Sequence, residues 1–286
     1  MRAEDGGQLV AIDESNLYWA RPAGPPATRT GVLVLAGSSG RMDTGRADML
    51  GTRGVTTLAL RWFDGPGLQQ VPREVPLELF LEAVGLLARE CDQVALIGLS
   101  YGAEASLLAA SLTDGVSAVV ALAPTDVAWE GHLDHHADPA RSKWSLDGHP
   151  IPFVSLDRSW LPPVGKPAFV DCYRSSRSIA APEELMAAAI PVERFTGEVV
   201  LVAGGDDQVW PSAEAATRIT MRRRAAGLDT IVVSDEQAGH LVVLPGEVPP
   251  NAARPYHVGG DAAAPKRLGR RAWPAICNVL GLAPGG

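Results

Sequence analysis

The apolar positions of this chain fall into two patterns: short unbroken runs, and stretches where they recur every third or fourth residue. The runs are "TGVLVLAGSSG", "VTTLALRW", "QVALIGL", "SAVVALAP", "GEVVLVAG" and "DTIVVSD". A strand apolar on both faces belongs in the interior of a parallel sheet. Between the runs, "PLELFLEAVGLLAREC" places Leu77, Phe80, Leu81, Val84, Leu87 and Ala88 at helical spacing. Helices are also predicted over "RADMLGTRG", stopped by Gly54, over "GAEASLLAASL", and over "SAEAATRITMRRRAAG". The C-terminal "AAPKRLGRRAWPAICNVLGL" is predicted as a last helix with Pro274 as its point of bending. At the other end, "GQLVAIDESNLYWARP" alternates around residues 13–16 and predicts an opening hairpin. Strands alternating with helices through short loops predict one α/β domain over residues 1–286, built on a doubly wound, mostly parallel sheet.

Residues 125–191 break the alternation. They are rich in Pro, Asp, His, Trp and Ser and have no clean period. A stretch of that length between two core strands exceeds an ordinary connection. It is expected to form a lid or cap over the carboxyl edge of the sheet, where such folds bind ligands. Its tryptophans, Trp129, Trp144 and Trp160, either line a pocket or pack the cap; Trp129 and Trp160 are the candidate substrate-binding residues.

One polar residue sits where a buried strand runs into a helix. Gly98–Leu99–Ser100–Tyr101–Gly102 follows the Gly-x-Ser-x-Gly pattern of a nucleophile elbow. The turn is sharp, and side chains two positions either side of the serine would collide with the neighbouring strand and helix. A serine hydroxyl is a weak nucleophile until a base takes its proton. In this arrangement the base is a late histidine, preceded by an acid that ends a later strand. "EVVLVAGGDDQVWPS" supplies Asp206 and Asp207, and "SDEQAGHLVV" supplies His240, 33 residues after Asp207. That interval holds one helix and one strand. Asp207, leading the turn Gln-Val-Trp-Pro, is favoured as the acid; Asp206 then caps the turn or the following helix. Two backbone N–H groups should hold an oxyanion, those of Tyr101 and of Ser38 in "GSSG". As a phosphate cradle that loop lacks both the Gly-x-Gly-x-x-Gly spacing and a Gly-Lys-Ser/Thr ending.

With these residues in place, the chain resembles the catalytic domain of the bile acid-CoA:amino acid N-acyltransferase and acyl-CoA thioesterase family, within the α/β-hydrolase superfamily. The resemblance spans residues 31–282 and rests on "LVLAGSSG", "ADMLGTRGVTTLALRWFD", "VPLELFLEAVGLL", "GLSYGAE", "IPVERFTGEVVLVAGGDDQVWPS" and "AGH". It implies an α/β-hydrolase fold with Ser100 as nucleophile, Asp207 as acid and His240 as base. Longer members carry a β-sandwich domain first, whereas about 30 residues precede the first core strand here. A basic residue often follows the family's nucleophile, and Tyr101 stands in its place. In this family cysteine accompanies amino-acid conjugation and serine accompanies thioester hydrolysis. The resemblance therefore implies a thioesterase or acyltransferase acting on a small-molecule acyl thioester, carried by CoA or a carrier protein, with water or another acceptor releasing the acyl group. A carboxylesterase or lactonase and a non-catalytic hydrolase-fold binding protein are the alternatives.

Composition narrows the partners. The formal charge of −8 argues against nucleic acid. Arg222–Arg223–Arg224 reads as a solvated helix face. Three widely spaced cysteines, Cys91, Cys172 and Cys277, argue against a disulfide framework and for a reducing cytoplasm. The N-terminus does not read as a signal peptide, and no segment approaches the roughly 18 apolar residues of a membrane span. The string "EGHLDHH" only partly mimics a metal-binding motif, because Glu130 stands where its first histidine should be. Glu104 is expected to favour its helix N-terminus without a chemical duty. No metal or organic cofactor is called for.

Overall fold

The structure is a computed structural model that describes residues 11–133, 138–249 and 254–283. The chain enters through β1 (Leu17–Ala20) and reaches β2 (Thr30–Leu35), α1 (Thr44–Gly51) and β3 (Thr57–Leu60). A two-residue β4 (Val75–Pro76) precedes α2 (Glu78–Ala88), β5 (Gln93–Leu99), α3 (Tyr101–Ala110) and β6 (Ala118–Leu122). After an irregular stretch come β7 (Trp144–Leu146), β8 (His149–Pro150), α4 (Val170–Ile179) and α5 (Pro182–Ala187). The chain finishes with β9 (Glu198–Gly204), α6 (Ser212–Ala225), β10 (Ile231–Asp235) and α7 (Ala264–Leu280).

Seven strands form the main sheet in the order β1-β3-β2-β5-β6-β9-β10. All neighbours run parallel except β1, which pairs antiparallel with β3 at the edge. Alternation along each strand divides the apolar side chains between two cores. Leu33 and Leu35 of β2, with Leu96 and Val119, pack against α2, α3 and α6 through Phe80, Ala103 and Ile219. Val32 and Val34, with Ala95 and Val120, pack against α1 and α7 through Leu50, Leu268 and Ile276. This two-sided burial is why the runs of β2, β5, β6 and β9 are apolar on both faces, whereas β10, at the edge of the sheet, leaves Ile231 and Val232 exposed.

The expected opening hairpin falls only partly within the described residues. Residues 1–10, most of its first arm, lie outside the described residues. The second arm is an edge strand on β3, with Leu17 opposite Leu60. Asp13 caps the short turn before it by accepting a bond from the Ser15 N–H. The physical reason is that β3 has an unpaired edge that a nearby strand can satisfy. At the other end, α7 continues through Pro274 and stops at Gly281, which adopts the left-handed conformation (φ 66°) of a helix terminator.

The basic run is corrected. Arg224 faces solvent and Arg222 pairs with Glu193, but Arg223 is 1% exposed. Its guanidinium donates to the carbonyls of Val192, Phe195, Gly197 and Asp229, at 2.5 to 3.1 Å. One charged fork thus satisfies the loop that leads into β9. Arg223→Met should cost about 3 kcal/mol, because buried carbonyls lose their donors while the packing volume is kept. Urea denaturation measures this, and a loss below about 1 kcal/mol would contradict it.

Residues 125–191 lie between β6 and β9 and take a strand from outside themselves: β4 pairs with β7, and β7 with β8. Isolated bridges Val127–Ala189, Trp129–Val154 and Glu130–Ser142 knit the segment together. Among the described residues, no helix is long and apolar enough to cross a membrane.

Candidate active site

The parallel register sets strand ends level, so their loops share one edge of the sheet. Leu35, the last residue of β2, lies beside Gly98, and Leu99 lies beside Leu122. Ser100 follows directly and has φ 59° and ψ −120°, a conformation that side-chain-bearing residues rarely adopt. Such a backbone costs on the order of 1–3 kcal/mol and survives only where its surroundings enforce it. Here the Ser100 N–H donates to Leu122 O at 2.9 Å, while Ser100 O accepts from the N–H groups of Ala103 and Glu104. The flanking glycines are a steric necessity. A Cβ at Gly98 would lie 2.0 Å from Gly102 O, and one at Gly102 would lie 2.4 Å from Leu35 O.

The loop after β2 closes over the serine. A Cβ at Gly37 would meet the Ser100 Cβ at 3.2 Å and its Oγ at 3.8 Å, and Ser38 follows Gly37 directly in the chain. The Tyr101 N–H opens α3, where the first turn's donors have no partner within the helix.

Asp207 and Asp206 diverge sharply. Asp207 is 4% exposed, and its carboxylate lies 2.9 Å and 3.1 Å from His240 Nδ1. Oδ1 also accepts from the N–H groups of Val209 and Trp210, and Oδ2 from Ser212 Oγ at 2.7 Å. Asp206 points outward, accepting from Gln208 Nε2 and from the Gly260 N–H. His240 is 4% exposed; its backbone N–H donates to Val258 O, and its ring meets Trp210 edge-on. With Nδ1 engaged by a carboxylate, Nε2 is the ring nitrogen left for chemistry.

Ser38, Ser100 and His240 line one cavity of about 850 Å³. Its other walls come from α1 and the loop before it, from residues within 241–248, and from Arg254 and Tyr256, and include Met42, Met49, Val242 and Val248. Arg46 of α1 holds these walls together: its buried guanidinium bonds Glu247 at 2.5 Å and pairs with Asp43 at 3.2 Å. Burial alone would lower the Arg46 pKa, but Glu247 and Asp43 raise it above the ordinary arginine value.

The segment expected to form a lid lies at the carboxyl edge of the sheet, beside this cavity. None of the described residues of 125–191 lines this cavity. Trp129 is 2% exposed, with its indole N–H on Thr125 Oγ1 and its ring against Tyr173; packing has consumed it. Trp160 lies against Phe169, which in turn meets the cavity residue Tyr256, so it stands two rings away. The segment covers the neighbouring ground instead. Phe169 N–H donates to Gln208 O, and Tyr173 Oη lies 3.4 Å from Tyr101 Oη. Burial, with Tyr101 alongside, pushes the Tyr173 phenol well above its ordinary pKa. In the metal-like string, residues 134–136 lie outside the described residues. Glu130 is committed to Arg158 and to the Leu156 N–H.

The pattern reading missed one feature beside the nucleophile. Glu104, assigned no duty from sequence, is wholly buried and ion-paired to an equally buried Lys143 at 2.6 Å. Lys143 carries no motif, and 39 residues separate the pair. A charged residue inside the irregular segment 125–191 gives no periodic signal.

A mostly parallel sheet carrying a strained serine at the end of β5, with an aspartate and a histidine following β9 and β10, is the arrangement of the α/β-hydrolase fold. Solved structures share the fold. A putative dienelactone hydrolase from Klebsiella pneumoniae subsp. pneumoniae MGH 78578 matches 93% of this chain and 92% of its own, with TM-score 0.53 and 14% identity. A puromycin-hydrolyzing peptidase of Mycobacterium tuberculosis matches 94% of this chain and 38% of its own, with TM-score 0.57 and 14% identity. Within that class the chain belongs to the family "BAAT / Acyl-CoA thioester hydrolase C terminal", whose profile matches residues 75–263. The mitochondrial acyl-coenzyme A thioesterase 2 of Mus musculus is 27% identical over 225 residues, which is 77% of this chain and 46% of the relative. Acyl-coenzyme A thioesterase 6 of Mus musculus is 27% identical over 266 residues, 86% of this chain and 58% of the relative. The chain spans about half the length of the curated relatives it matches.

Proposed function

We propose that this chain is a serine acyl hydrolase that cleaves acyl thioesters through an acyl-Ser100 intermediate. One observation carries the reading: the strained Ser100 shares a cavity with His240, whose Nδ1 is held by the buried Asp207. Membership of the thioesterase family supports the thioester as substrate.

Ser100 Oγ bonds to the thioester carbonyl carbon as its proton passes to His240 Nε2. Asp207 keeps the proton on Nδ1 and stabilises the imidazolium that forms. The carbonyl oxygen becomes an oxyanion facing the N–H groups of Tyr101 and Ser38. Collapse breaks the C–S bond, and the thiol leaves with the proton from His240. Water then repeats the sequence, with His240 as base, to release a carboxylic acid and restore Ser100. An amine or alcohol in place of water makes the same residues an acyltransferase.

The apolar wall of α1, residues within 241–248 and Tyr256 receives the acyl group, since these line the cavity with Ser100. Matched thioester and oxygen-ester substrates with one acyl group test the substrate class. The thioester should have the higher kcat/KM by about tenfold or more, equivalent to roughly 1.4 kcal/mol at the transition state. Equal or reversed values would make the protein a carboxylesterase instead.

A further inference from the structure

Oxyanion donors work only if they are held still, and the Tyr101 N–H belongs to the most strained stretch of backbone at the site. Its side chain is braced on three sides. Lys143 Nζ lies 3.5 Å from the ring centroid, Trp210 packs at 5.7 Å, and Tyr173 Oη meets its hydroxyl. Lys143 is fixed in turn by Glu104, three residues further along α3 and on the same helix face as Tyr101. Glu104 also accepts from the Trp129 N–H at 3.0 Å and from the Trp144 indole at 2.7 Å. One ammonium, supplied from residues 125–191, is therefore gripped between the ring of Tyr101 and the carboxylate of Glu104.

We infer that Lys143 is a positioning residue for the oxyanion hole, acting through Tyr101 and Glu104; this rests on the acyl-transfer reading of Ser100. Two effects combine. The ammonium pins the Tyr101 ring by cation–π attraction, which is strongest where water is excluded, and both charged groups are 0% exposed. It also cancels the Glu104 carboxylate, which stands four residues from the nucleophile and would otherwise oppose negative charge developing on the substrate oxygen. A pair kept only to hold the fold would have no reason to seat its cation on the residue that follows the nucleophile.

Lys143→Met alone leaves a buried carboxylate unpaired and is expected to destabilise the fold severely. The informative variant is therefore Glu104→Gln/Lys143→Met, which removes both charges and keeps an acceptor for Trp129 and Trp144. It should fold, show kcat lowered by about 10- to 100-fold, and change KM by less than about threefold, because a donor is displaced rather than lost. Affinity for a trifluoromethyl ketone, which forms an oxyanion on the serine, should fall by the same factor as kcat/KM. Tyr101→Leu removes the ring that Lys143 grips and should give a similar loss; combined with the double variant, the two losses should not multiply. It also serves if the double variant fails to fold. Wild-type turnover with kcat and ketone affinity within twofold in these variants would overturn the positioning role alone. No wild-type turnover on any ester or thioester would overturn the acyl-transfer reading and this role with it.

Discussion

Ser100→Ala is expected to fold as the parent protein does and to lose about four to six powers of ten in turnover. The fold should persist because alanine keeps the Cβ that meets Gly37, and it is no more strained at φ 59° than serine. The backbone bond from residue 100 to Leu122 O is also unaffected. What vanishes is the atom proposed to form the acyl bond, and with it the proposed covalent route. The residual rate would come from substrate binding and from the N–H groups of Tyr101 and Ser38, which can still stabilise attack by water. Circular dichroism and kcat/KM on one acyl thioester decide the matter. A folded variant within tenfold of the parent would mean that Ser100 is not the nucleophile.

The adjacent acids should differ almost as strongly. Asp207→Asn is expected to lower turnover by about 10⁴-fold, whereas Asp206→Asn should stay within a few-fold. The reason lies in the bond pattern. An amide at position 207 keeps one oxygen for the N–H groups of Val209 and Trp210, so the turn survives. Its NH2 then faces His240 Nδ1 or Ser212 Oγ. Facing His240, it makes Nδ1 an acceptor and moves the ring proton to Nε2, the nitrogen that must take the serine's proton. Asp206 touches only Gln208 and the Gly260 N–H at the surface. Equal losses at the two positions, or the reverse order, would remove Asp207 from the proposed role.

The sheet and the serine were legible because each rests on short-range constraints. The apolar runs of the inner strands record burial on both faces, and Gly98 and Gly102 record a close approach that no side chain tolerates. The preference for Asp207 drew on a local turn, and the structure turns that residue toward His240. Features that depend on distant pairing were not legible. Arg223 looked like one charge among three, yet it is buried because the loop before β9 presents carbonyls to it. Glu104 and Lys143 lie in different elements, and neither position is periodic. Residues 125–191 were recognised as an insertion, but sequence length cannot tell which flank of the sheet edge it covers. It packs over Tyr101 and the Asp207 turn, leaving the cavity to α1, residues within 241–248, Arg254 and Tyr256. Trp129 is buried within the segment and does not line that cavity.

The central claim is that substrate acyl groups pass through Ser100, and intact-protein mass spectrometry reads this directly. The protein is mixed with an acyl thioester, quenched in acid during turnover, weighed and digested, with a fluorophosphonate-treated sample and Ser100→Ala in parallel. The expected result is one acyl mass on the peptide containing Ser100, one phosphonate on the same residue, and neither in the alanine variant. Thioester turnover with an unmodified Ser100 peptide, or an adduct that persists in Ser100→Ala, would contradict it.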